Sequence, residues 1–192
     1  LRNGFLGTMA FKDSAGVNLD QATISSAAVT AFSNVPLLTG GGLKFPPTQV
    51  ASADPNTLDD YEEGTWTPTI TGAGGGSGQT YVGRTGRYTK IGNQVTVWFY
   101  IHLSAKGTIT GDAVIGCLPF TTASFQEYTG GAVGNWGGMG VSVNYVATMS
   151  MFNQSYIKLL GTSAAATTVS IFTTTQISNT TRIEGCHSYN VS

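Results

Sequence analysis

At 192 residues the chain holds one ordinary domain and a remainder, because domains cluster at about 100–150 residues. Its net charge is −1 with no Lys/Arg cluster, which leaves out the basic surface that nucleic acid or an anionic membrane needs. Charged residues are only 10% and glycines number 26, so hydroxyls, amides and backbone must wet the surface, and Thr, Ser, Asn and Gly favour strands and turns over solvent-facing helices.

Residues 1–47 contain short apolar pieces, such as Phe5-Leu6 and Val35–Leu38, separated by polar residues and glycine. None is long or periodic enough to bury a core of its own. Gln21–Ala31 reads equally as a helical turn or a strand. The start, LRNGFLG, lacks the apolar core of a signal peptide, and no run approaches the roughly 20 apolar residues of a membrane span, so no membrane insertion is expected. Because Leu1 and not Met comes first, the chain is expected to be a fragment or the ordered part of a longer protein.

Residues 48–64 form an acidic elbow. Pro46, Pro47 and Pro55 interrupt regular structure, and Asp54, Asp59, Asp60, Glu62 and Glu63 supply half of the chain's carboxylates. Asp54–Thr57 reads as a turn with proline in second place, and Thr57 with Asp60 predicts a capped helical turn over Leu58–Glu62.

From residue 65 to 192 a period of two takes over. In Gln94–Leu103 one face is Val95, Val97, Phe99, Ile101 and Leu103, and the other carries Trp98 and Tyr100 among polar groups. Arg87–Ile91 precedes it, with Gly92-Asn93 as a two-residue hairpin turn. Further strands are predicted at Val114–Phe120, Gly140–Phe152, Tyr156–Leu160, Thr168–Thr173 and Thr181–Tyr189. Gly72–Gly78 is read as a flexible loop, and Thr121–Gly140 as too glycine-rich for a regular core strand. The sum is an all-β, antiparallel, jelly-roll-like sandwich. Trp98 and Tyr100 have apolar bodies with polar tips, so their face is expected to pack on another sheet's edge or on a neighbouring subunit.

The run Asn56–Pro68 (NTLDDYEEGTWTP), a glycine-rich stretch, and Gly86–Val95 (GRYTKIGNQV) resemble a module found at the C-terminal ends of bacteriophage fibre proteins. Leu6–Asp13 (LGTMAFKD) with Val17-Asn18-Leu19 is similar to a recurring tail-fibre stem segment, and Leu118-Pro119-Phe120 fits the same pattern. Phe125–Ser192 carries no such motif. The resemblance implies a homotrimeric virion fibre with an intertwined stem, an elbow and a β-sandwich head. It also implies contacts with other virion proteins through the N-terminal region and attachment to a host-surface glycan or protein. The alternative is a capsid-attached fibre or decorating protein with a structural role.

Catalytic chemistry finds few groups. The head's carboxylates are Asp112, Glu127 and Glu184, whereas glycan cleavage needs two of them about 5–9.5 Å apart. Cys186 and His187 are adjacent, which on a strand sends them to opposite faces and argues against a nucleophile–base dyad. Gly72–Gly78 lacks the lysine and helix of a phosphate loop. The acidic elbow lacks calcium-loop spacing. No enzyme activity, cofactor or metal is therefore expected, and Cys117 and Cys186 are read as buried core thiols. Phe125, Tyr128, Asn135 and Trp136 remain as receptor-binding candidates, since aromatics and amides on loops suit stacking and hydrogen bonding to a ligand. For Trp136 the competing role is plugging the sandwich end or a subunit seam.

Overall fold

The computed structural model describes residues 37–39, 42–50, 52–54, 56–125, 128–163 and 166–192. The chain divides into two units, residues 1–59 and 60–192. In the first, β1 (Leu37–Thr39) and β2 (Gly42–Lys44) pair as an antiparallel hairpin. Most of the expected stem, Gln21–Ala31 included, lies outside the described residues.

The elbow keeps its turn but not its helix. Thr57 N–H donates to Asp54 O at 3.1 Å, and the Asp59 carboxylate accepts from Ser52 N–H at 2.9 Å and from Gln49 at 3.2 Å. Residues 57–60 are not helical, and strand β3 (Tyr61–Trp66) starts four residues before the expected head boundary. The cause is the partner taken by the would-be cap. Asp60 forms a buried ion pair with Lys90, and the residues after it pair with the strand that carries Lys90.

The second unit continues with β4 (Thr69–Gly72), β5 (Gly76–Ser77), β6 (Thr80–Ile91), β7 (Gln94–Ala105), β8 (Thr108–Ile109) and β9 (Ala113–Gly116). It ends with β10 (Gly130–Gly137), β11 (Val143–Met149), β12 (Ile157–Ser163), β13 (Ser170–Ile171) and β14 (Arg182–Asn190). Strands β3-β6-β7-β14-β10-β11-β12-β9-β4 form one antiparallel sheet in that order, with β13 on β12. The two end strands, β3 and β4, are separated in sequence only by Thr67-Pro68. A sheet whose opposite edges are two residues apart has to curl over its own face, so the all-β antiparallel fold read from the sequence is realised as one wrapped sheet.

The wrapped face is the core. Val95, Val97, Ile101 and Leu103 of β7 are fully buried, and they share one core with Ile183 of the adjoining β14 and with Ile70, Ile115, Ile157 and Leu159 from strands across the curl. Gly92 has φ 56°, as a two-residue hairpin requires, and it accepts no side chain cheaply. This turn also holds both ends of the unit: Gly92 N–H donates to Asp60 O at 2.9 Å, and Val191 N–H to Asn93 O at 2.8 Å.

The runs Asn56–Pro68 and Gly86–Val95 contain cross-strand partners. Trp66 stands opposite Gly86 and donates its indole N–H to the carbonyls of Arg87 (3.2 Å) and Trp98 (3.3 Å); any Cβ on Gly86 would run into the indole. Gly64 leaves room in the same way for the Tyr88 ring, which packs edge-on against Phe120 at 5.4 Å. Tyr88 donates to Glu62, and that bond pushes its pKa up to about 12. Asp60, Gly64, Trp66, Gly86, Tyr88, Lys90 and Phe120 thus encode the seating of β3 on β6.

Two expectations fail here. Gly72–Gly78 is pinned: Ala73, Gly74 and Gly75 donate backbone hydrogen bonds to Asp112, Thr110 and Gly72, and β5 pairs with β8. Residues Gly130–Gly137, read as too glycine-rich for a core strand, are β10, in the middle of the sheet between β14 and β11. The reason is close approach: a Cβ on Gly131 would collide with His187, Thr148 and the Cys186 carbonyl.

Candidate functional site

Cross-strand register places the outward side chains in rows. One row runs Thr65, Arg87, Trp98, Cys186, Ala132, Ala147, Leu160 and Ile171, each opposite the next across adjacent strands. The next runs Thr85, Tyr100, Glu184 and Asn135. No strand among the described residues covers these rows, so among those residues the expected packing on a second sheet's edge is not seen. Trp98 is 46% exposed.

The rows enclose a groove of about 530 Å³ over β6, β7, β14 and β10. Trp98 and Tyr100 form one bank and Asn135 with Glu184 the other. The polar bank is ordered: Asn135 Nδ2–H donates to Glu184 Oε1 at 3.1 Å, and Arg182 Nε lies 3.7 Å from the same carboxylate. β10 forms the low ground, with a bulge between Val133 and Asn135 that contains Gly134. A Cβ on Gly134 would meet nothing within 4 Å, and the same is true of Gly130 and Gly137. Ala132 also borders a second hollow of about 570 Å³, where Tyr128 and Tyr145 stand over Gly130, Ala147 and Met149.

The four receptor candidates do not form one cluster. Asn135 joins Trp98 and Tyr100 on the outer face. Its neighbour Trp136 faces the other way, opposite buried Ile183, and packs against the core. Tyr128 is 53% exposed, lies edge-on to Phe152 at 6.5 Å and borders the second hollow, while Phe125 is exposed in the preceding loop. Glu184 was weighed only as a catalytic carboxylate, and Arg87 and Gly134 were not singled out. The two side chains become visible only when the rows are written out across strands.

The groups weighed for catalysis are dispersed. Asp112 pairs with Lys158 at 2.7 Å beside β9, and three strands separate β9 from the β14 that carries Glu184. Glu127 lies outside the described residues. Cys186 faces the groove while His187 points inward, as strand alternation requires. His187 Nδ1 meets Thr148 Oγ1 at 2.8 Å and Nε2 meets Thr129 Oγ1 at 3.1 Å; burial lowers its pKa to about 4. Both cysteines are free, and neither is a core thiol: Cys186 is half-buried, and Cys117 is exposed at φ 63°, at the exit from β9. Among the described residues no cluster of three or more His, Cys, Asp or Glu could hold a metal ion, and no helix is long and apolar enough to cross a membrane.

No protein-family model matches the chain, and no curated protein matches its sequence. Among solved structures the fold is similar to part of the Dettilon tailspike protein (gp208), at 18% identity and a TM-score of 0.54 over 68% of this chain. The similarity spans 24% of the tailspike chain, about a quarter of its length, and what it shows is a shared fold.

Proposed function

We propose that this chain is a module of a bacteriophage virion fibre that attaches to the host surface by non-covalent contact and works as a homotrimer. The observation that carries the reading is the uncovered outer face, where a half-exposed tryptophan and an ordered amide–carboxylate pair stand on a rigid wrapped sheet. Such a surface suits recognition, because a scaffold with its own core can present aromatic and polar groups without reorganising. The motif resemblance and the fold shared with a tailspike segment support the virion setting. Ion pairing of Asp112 and its separation from Glu184 support a binding role over hydrolysis. On this reading residues 1–47 supply the shared threefold core.

Two measurements test this. Light scattering on the full chain is expected to give about three times the 20.0 kDa chain mass; a monomer would overturn the trimer. Immunogold labelling of virions with an antibody to the chain is expected at the tips of tail fibres. Label on the capsid would favour the structural decoration role, and unlabelled particles would overturn the virion reading.

A further inference from the structure

Building on the attachment reading, we infer that the groove between Trp98 and Asn135 is an oligosaccharide-binding site, with the ligand lying along β10. The occupant must satisfy two different banks. Trp98 and Tyr100 offer flat apolar surface, whereas Glu184 offers a carboxylate acceptor and Asn135 an amide that both donates and accepts. A purely apolar occupant, such as a proline-rich peptide, would cover the Asn135–Glu184 pair without matching it, and uncompensated polar groups weaken binding. A strand-adding peptide has no foothold, because the groove lies on a sheet face where the backbone groups are already paired. A polyanion would meet Glu184 as well as Arg87. A pyranose ring meets both banks: its C–H face stacks on the indole and its hydroxyls exchange hydrogen bonds with the carboxylate and amide.

The low ground fits a slim chain. Gly134 leaves open space at the middle of the groove, and Gly130 leaves it further along the same strand. Ala132 connects the groove to the hollow beneath Tyr128 and Tyr145, so more than one sugar residue can be accommodated in line. Gly134 is not in the left-handed backbone region, so a side chain can be placed there to fill the groove without backbone strain.

The test uses the full chain on an array of bacterial lipopolysaccharide O-chain and capsular oligosaccharides, followed by titration of whichever fragment is retained. Binding is expected to shield Trp98 from acrylamide quenching, because Trp66 is buried and Trp136 is packed on the core. Trp98→Ala, Glu184→Gln and Gly134→Gln should each weaken binding by at least about tenfold. Val169→Ser, at an exposed valine outside both hollows, should leave it unchanged. Retention of no fragment would overturn the proposal, as would full binding by all three variants. A fall in assembly mass on Trp98→Ala or Gly134→Gln would also overturn it, since the groove would then be covered by a second copy. Virion labelling is read independently, so the attachment reading can stand while the saccharide site falls.

Discussion

His187 is buried with a hydroxyl against each ring nitrogen, and desolvation holds its pKa at about 4, below the ordinary value of 6.5. Between these values the unfolded chain binds the proton that the folded chain refuses. Stability from this group is therefore complete above pH 6.5 and falls as pH drops toward 4, by about 3 kcal/mol. Urea unfolding of His187→Gln beside the parent should show a shallower acid limb in the variant; parallel curves would contradict this account. Glycines nearby divide by what lies over them. Gly131→Ala should cost about 1–3 kcal/mol, because the new methyl would strike His187, Thr148 and a backbone carbonyl, whereas Gly134→Ala should stay within about 0.5 kcal/mol. Thermal melts of the two variants decide whether the glycines of β10 serve packing on one face and open space on the other. In the sequence these residues look alike, which is why a central strand there resembles a loop. Cys117 was illegible for a related reason: its left-handed backbone is fixed by the exit from β9, and nothing adjacent in the sequence signals it.

The elements were legible where the signal is local. The alternation in Gln94–Leu103 and the Gly92-Asn93 turn identify β6 and β7 because strand period and hairpin geometry are written in consecutive residues. The elbow helix failed because Asp60 answers to Lys90, thirty residues away, and a long-range ion pair overrides a capping pattern. That pair should be costly to break and cheap to replace. Asp60→Ala is expected to destabilise by about 3–5 kcal/mol, and adding Lys90→Met should recover much of the loss, as buried ion pairs often exchange neutrally for well-packed apolar side chains. Chemical denaturation of the single and double variants measures both steps. The candidate site was legible only in part. Trp98, Tyr100 and Asn135 stand out by residue type, but Glu184 and Gly134 join them through pairings between strands far apart in the chain, which no local window contains.

At the level of the whole molecule, the sheet depends on distant partners: Gln94 to Ile101 pair with Asn190 to Ile183, so the ladder of β7 is incomplete until residues about ninety positions later are available. Such long loops must close before their contacts can stabilise them, which places folding in the millisecond-to-second range typical of non-local β topologies. Stopped-flow refolding followed by tryptophan fluorescence should show this; microsecond folding would mean that the wrapped sheet forms from local hairpins alone.

The Gly92-Asn93 turn, which grips Asp60 on one side and Val191 on the other, has a mechanical consequence. Because Asp60 and Val191 are held at one spot, tension applied between them is borne by a few hydrogen bonds at that turn and need not cross the wrapped sheet. The unit can be spliced into a host loop, or its ends rejoined and the chain reopened elsewhere, with little disturbance to the face that meets the outside world.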